Sequence, residues 1–331
     1  MLIHTKGFEE WCPGNNIVKK IARTMKKQLS LAVSLLAAFI CVEAQKPDTA
    51  WLMVHYKFTH VMDTSNRAHP YTENMVLFVG KTASAYRSYD GLVYEQQFKK
   101  AYAEAVASSP DGNPMINRRG VGSFIQYYQY PAEHKLFTKA PIMVTDYLIE
   151  GPMPAIDWKI GDDTATFGGL HCQKATGHFG GRDYIVWFCP DLPVHSGPWK
   201  LNGLPGVIVD AHDTKNEVVF KFDGVEKTFP FVKDQSTAGN TDEKSEPAIL
   251  VGLNDDPNLI QPPARLVRTT QKEFDKLRTT MQKDPAAFAN AINAANSQSG
   301  GPDHPRVMVG PKGSRPPGSF VINNPIELPE K

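Results

Sequence analysis

Cysteine is scarce in this chain, with four residues among 331, at Cys12, Cys41, Cys172 and Cys189. No two of them stand in a CxxC spacing, so the sequence carries no local signature of a thiolate metal site. A dominant charge is missing as well: 36 Lys+Arg balance 35 Asp+Glu, for a formal charge of +1. That removes any bulk electrostatic case for a nucleic-acid partner. Long hydrophobic runs are absent too, since the most apolar stretch, Leu29 to Ile40, has about a dozen residues where a bilayer span needs about 20. There is no G-x-S-x-G nucleophile elbow, no HExxH helix and no internal repeat.

What is present begins with an export signal. Met25-Lys26-Lys27 opens a charged n-region, Leu29 to Ile40 has the length of an h-region, and Val42-Glu43-Ala44 fits an A-x-A-like cleavage site. Residues 25–44 therefore read as a signal peptide, with cleavage before Gln45, rather than as a short transmembrane anchor. Cys41 follows Phe39 and Ile40, where a lipoprotein signal needs small side chains. Residues 1–24 resemble neither a signal nor a domain and read as a non-native upstream extension. The expected location is outside the cytoplasm: periplasmic, outer-membrane associated or secreted. Residues 45–296 read as a single sheet-rich domain, and 297–331 as a Gly/Pro-rich C-terminal segment with a possible last strand at Phe320 to Ile322.

Strand periodicity dominates the first half. From Ala50, Leu52, Val54, Tyr56 and Phe58 alternate with His55, Lys57 and Thr59. Met75 to Val79, Ala83 to Tyr89, Ser123 to Tyr130 and Ile142 to Ile149 read the same way. Tyr94, Phe98, Tyr102 and Ala105 stand at helical spacing and predict a helix over Tyr94 to Val106. Val207 to Val209 and Val218 to Phe222 form a strand pair around a turn at Asp213 to Asn216. Asp234 to Glu246 is a polar loop. Thr270 and Glu273 have capping-box spacing before a helix carrying Phe274, Leu277 and Met281, and Asp284-Pro285 starts another through Ala294.

The richest block is 168–213. Gly180-Gly181 is a two-residue turn signal between strands 170–179 and 182–189. In that register paired residues sum to 361, so Cys172 faces Cys189 at a non-hydrogen-bonded position, where side chains approach most closely. Two remaining cysteines in an exported chain also favour a disulfide. The competing reading is a soft metal site using both thiolates with His171 or His178, although strand alternation turns His171 away from Cys172. Tyr184, Val186 and Phe188 form an apolar stripe on the opposite face. Pro190, Pro193 and Pro198 make a rigid connection, and Asn202 to Gly206 a tight turn. A phosphate loop there would need a following helix and usually a Lys-Ser/Thr pair, and neither follows.

The runs CQKAT, GR-x-Y, WF-x-P-x-LP, GPW and GLPGVI together resemble the GLPGLI family of exported Bacteroidetes-type proteins, with Val207 where the family motif has Leu. ENMVLFVGK at 73–81, YLIEGPMPAIDWKI at 147–160 and NNPIEL at 323–328 extend the resemblance over most of the chain after residue 44. The motif positions are Gly180, Gly181, Arg182, Tyr184, Trp187, Gly197, Pro198, Trp199, Gly203, Leu204, Pro205 and Gly206. The resemblance implies an exported, sheet-rich envelope protein and carries over no catalytic residue.

Three functional readings follow. The first is a non-enzymatic binding or accessory protein for a lipid, an apolar ligand or an outer-membrane protein partner, with Tyr127, Tyr128, Tyr130, Tyr147, Tyr184 and Trp187 lining a concave face. The second is a hydrolase using His195 beside Ser196, or Asp210, His212 and Asp213, residue types that at a strand end also serve as turn formers. The third is metal handling, for which ten histidines and ten methionines are scattered without ligand spacing. The expected fold is mainly β (β-rich α+β), a large curved antiparallel sheet or half-barrel wrapping a helix, with a two-sheet sandwich as the alternative. No cofactor, metal or nucleic acid is expected.

Overall fold

The structure, a computed structural model, describes residues 47–109, 121–143, 145–228, 256–263, 266–298 and 322–330. The expected signal segment, the polar loop at 234–246, most of 297–318 and the first two residues of the expected last strand lie outside the described residues.

The chain is mostly β, built on one large open sheet with a few helices. Ten of its strands run β2 (Leu52–His60), β3 (Tyr71–Val79), β4 (Ser84–Ser88), β5 (Gln126–Tyr130), β6 (Lys135–Ile142), β7 (Thr145–Pro152), β8 (Trp158–Phe167), β9 (Leu170–Phe179), β10 (Arg182–Cys189) and β11 (Val207–Asp213). β12 (Val218–Lys227) and β14 (Val267–Thr269) complete it. The strand order is β14-β7-β6-β5-β4-β3-β2-β12-β11-β10-β9-β8, twelve strands with β14 and β8 at the edges. Every pairing is antiparallel except β14 with β7, so the sheet is mixed. A separate two-stranded piece joins β1 (Asp48–Thr49) to β13 (Leu259–Ile260). Among the described residues the α-helices are α1 (Tyr89–Ser108), α2 (Gln271–Lys283) and α3 (Pro285–Gln298).

Alternation along the central strands divides the core between two faces. Leu52, Val54, Tyr56, Met75, Leu77, Tyr86, Tyr184, Val186 and Phe220 build the larger cluster. Val76, Phe78, Ala85, Tyr128, Tyr130, Phe137 and Leu148 build one on the opposite face, closed by Ile260 of the small sheet and by Ala50 just after β1. The larger cluster contains no helical residue. Its filler is the β10–β11 connection, which contributes Leu192, Val194, Trp199, Leu201 and Leu204, where a helix was expected. The helix α1 instead sends Leu92 to the opposite cluster, and α2 packs Phe274 on Ile142, Ile149 and Tyr147 of β6 and β7.

Local chemistry explains the boundaries. Ser88 caps α1 by accepting the Gly91 N–H at 2.9 Å, starting that helix five residues before its apolar stripe does. Thr270 accepts the Glu273 N–H at 3.3 Å, and Glu273 lies against Thr269 Oγ1 at 3.4 Å, so one half of the capping box forms. Asp284 caps α3 through the Ala287 N–H at 3.0 Å, and α3 continues past Ala294 to Gln298. The strand expected at Ile142 to Ile149 is present from Thr145 onward as β7, while Ile142 ends β6 and Met143, at φ 55°, lies in the turn between them. Ile322 is outside any strand.

The hairpin register is as expected: β9 and β10 pair from Phe179↔Arg182 to Gln173↔Phe188, each pair summing to 361. Gly180 and Gly181 have φ 57° and 69°, the left-handed pair that a two-residue turn with the right strand twist needs. Cys172 and Cys189 are joined in a disulfide, both buried. Blocking free thiols under denaturing conditions should leave both cysteines unlabelled until reductant is added. The Cys172→Ala/Cys189→Ala double variant should lose about 3 kcal/mol in urea unfolding, as expected for a loop of this length; two labelled thiols would overturn the pairing.

Candidate functional site

The motif arginine, Arg182, opens β10 in register with the buried stripe Tyr184, Val186 and Phe188, and its side chain is 2% exposed. A guanidinium in that position must have every donor satisfied. It does: Nε donates to Ile326 O at 2.9 Å. Nη1 meets Asp213 Oδ2 at 2.7 Å and Glu217 Oε2 at 3.2 Å, and Nη2 meets Asn324 Oδ1 at 2.7 Å and Pro325 O at 2.8 Å. The acceptors are saturated in turn. Asp213 Oδ1 takes the N–H groups of Glu217 and Val218, closing the turn, while Glu217 also pairs with Arg67 and accepts from Asn324 Nδ2. Asn324 O faces His60 Nε2 at 2.9 Å. Burial pushes the His60 imidazole down. For Glu217 burial acts to raise the carboxyl, but hydrogen bonds from Arg67 and Arg182 overcome it and hold the group below the usual glutamate range. Two separated motifs, GR-x-Y and NNPIEL, thus meet in one network.

The GPW and GLPG motifs act as a plug. Gln129 of β5, 1% exposed, donates Nε2 to Gly197 O at 3.1 Å and Trp199 O at 3.0 Å. Tyr56 Oη donates to Ile208 O at 2.6 Å, and Trp158 Nε1 to Asn202 O at 2.8 Å. Trp199 stacks on Phe220 with centroids 6.3 Å apart, flanked by Phe179 and Tyr184, while Leu204 is fully buried and Pro205 exposed. A Cβ at Gly206 would lie 2.3 Å from the Cys189 carbonyl oxygen, so only glycine lets the plug return to β11 there.

The sequence-predicted polar residues do not converge. His195 is exposed, while the neighbouring Ser196 is buried with its hydroxyl unpartnered. Asp210 and His212 share one face of β11, and Asp213 lies on the other. Asp210 Oδ2 takes the Phe222 N–H at 2.9 Å and Lys221 Nζ at 3.1 Å, where the β11–β12 ladder stops after two residue pairs. These aspartates substitute for backbone partners. Nor do the six aromatic rings line one face: Tyr127, Tyr147 and Tyr184 stand on the plug side, Tyr128 and Tyr130 on the other, and Trp187 opposite Tyr184 against Phe167. Period-2 alternation forces that split on neighbouring residues. His171 is exposed and lies against Asp191. Among the described residues no group of three His, Cys, Asp or Glu is placed to hold a metal ion.

Accessible apolar surface collects elsewhere. Two open grooves meet at Asn74 and Tyr89: one follows the β12 irregularity at Gly224 past His55, and the other runs between β3 and α1 to Val121. Tyr89, Val93 and Val121 on its walls are 36%, 39% and 39% exposed. Asp90 fixes one wall by accepting both Asn74 N and Nδ2, at 3.0 and 2.9 Å. On the other, His55 Nε2 lies 2.9 Å from Glu226 Oε1 and its ring meets Tyr89 edge-on at 4.8 Å. Sequence reading missed this groove because its walls come from three distant segments.

No protein-family model matches the chain, and no curated protein does. Among solved structures it is similar to PNGF-II in a P21 crystal form, at 10% identity and TM-score 0.42, covering 69% of this chain and 32% of that one. PNGF-II in a C2 form gives 11% and 0.41, with 68% and 32% covered. This chain therefore spans about a third of the structures it matches, at a level of likeness that carries no argument about function.

Arg182→Met should cost about 3–5 kcal/mol in urea unfolding, because it takes the guanidinium from two buried carboxylates and leaves Asp213 without a cation. Since the Glu217 pKa is lowered on folding, its contribution is present above the ordinary value of 4.5 and lost as pH falls through the lower folded value. The drop in wild-type stability between about pH 7 and about pH 3 should therefore shrink in the Arg182→Met variant.

Proposed function

We propose that this chain is an exported cell-envelope protein of the GLPGLI type whose role is to bind a membrane-protein partner rather than to catalyse a reaction. The observation that carries this reading is where the polar and apolar groups sit. Arg182, Asp210, Asp213, Glu217 and Gln129 have their polar atoms committed to backbone groups or to each other, as expected of groups that hold a fold. The unspent surface is the groove at Tyr89, Val93 and Val121, apolar at its lip and open along its length. Exposed apolar residues gathered at one place mark interaction sites, and an open groove suits a protein segment better than a lipid tail, which needs a more enclosed cavity. The Cys172–Cys189 disulfide is compatible with an oxidising compartment.

The test is a photo-crosslinking residue at Val93, with the same probe at Lys215 as control, expressed in the native envelope. We expect one defined membrane protein at the first position and none at the second. Val93→Asp should weaken its co-purification about tenfold, the cost of losing an interface anchor. Crosslinks equal at both positions, or a lipid in place of a protein, would overturn the reading.

A further inference from the structure

His178, next to the end of β9, has a carboxylate on each ring nitrogen. Nδ1 lies 2.7 Å from Asp183 Oδ1 across the hairpin turn, and Nε2 lies 3.0 Å from Glu330 Oε2 on the C-terminal segment. A neutral imidazole has one N–H and one lone pair, so it can donate to only one of these groups while its lone pair faces the other. The imidazolium has two N–H groups and satisfies both. We infer that His178 is a pH-operated latch: protonated, it fastens Glu330 over the Gly180-Gly181 turn, and deprotonated, it lets that end of the chain go.

The surroundings concentrate the effect on the last residues. Glu330 Oε1 also accepts the Gly181 N–H at 3.0 Å, so its release uncovers the turn. Upstream, the segment is held independently of any imidazole: Arg182 grips Asn324, Pro325 and Ile326, and the Leu328 N–H donates to Gly180 O at 2.8 Å. Other charges nearby come from several elements. Lys200 pairs with Glu327 beside the turn, and Asp157 and Lys159 of the β8 region flank Trp158, which is in register with Gly177. Lys215 follows Thr214, whose N–H donates to Asp183 O. The hydrogen bond it donates to Asp183, then that to Glu330, holds His178 above its ordinary value of 6.5. A raised folded pKa means the latch contributes fully below that value and is lost as pH rises through the folded one. With the ring half-exposed, the contribution is screened by solvent.

The experiment is nitrogen-15 NMR of the folded protein after signal removal, following the His178 ring and the protection factors of the Gly181 and Asn324 amides from about pH 5 to about pH 9. We expect both ring nitrogens protonated at the acid end and titration above the ordinary imidazole value. The Gly181 protection factor should fall about fivefold over the same range, the worth of one hydrogen bond, while that of Asn324 stays constant. Glu330→Gln should remove that fall, since a side-chain amide whose oxygen accepts Gly181 can donate to the neutral ring at high pH but meets the protonated ring donor to donor. A Gly181 protection factor that is flat in the wild type, or one that falls identically in Glu330→Gln, would overturn the latch.

Discussion

The guanidinium of Arg182 is the constraint on which this fold turns. It sits where the stripe of β10 would place another hydrophobe, and removing such a charge from water costs several kcal/mol unless geometry returns it. The return comes from two places far apart in sequence: Asp213 and Glu217 at the β11–β12 turn, and the carbonyls and amide of Asn324, Pro325 and Ile326. A buried ion pair is weak evidence for net stability. What this one supplies is register, since a slip of one residue in either strand would leave charges unpaired.

A second constraint follows from the open sheet. Twelve strands with two free edges must cover both faces, and the side chains of the strands alone leave the larger face unfilled. The β10–β11 connection fills it, pinned at its start by the disulfide, at its return by Gly206 and in the middle by Gln129. Prolines and glycines that look like loop punctuation thus make part of the core. The edge strand β8 is blunted by its own irregularity between Ile160 and Thr164, where Asp163 pairs with Lys174, a device that discourages edge-to-edge association.

Much of the architecture was legible because it rests on local periodicity. The β2 and β3 alternation, the Gly180-Gly181 turn and the disulfide it implies, and the caps of α2 and α3 all follow from neighbours in sequence. β8 was illegible because an edge strand exposed on both faces has no alternation to show, and Gly161-Asp162-Asp163 looks like a turn. β6 was not read as a strand, and β7 was read from Ile142 because apolar residues run on both sides of the Met143 corner. In the candidate site, Arg182 was visible as a motif residue. A charge in phase with Tyr184, Val186 and Phe188 could have announced a buried counter-charge, but nothing local names Glu217 or Asn324 as its partners. The groove at Tyr89 is long-range in the same sense.

The order in which these parts leave the ribosome gives the C-terminal clamp a further meaning. The hairpin that carries Arg182, and the turn that supplies its carboxylates, are complete more than 95 residues before Ile322. Until the NNPIEL segment arrives, three of the five donors on that guanidinium lack their acceptors and keep their water. The sheet can assemble around the hub but cannot dry it. Final desolvation of the hub therefore waits on the NNPIEL segment, and a molecule lacking it is marked by a wet, solvated arginine where the intact one has a closed interior.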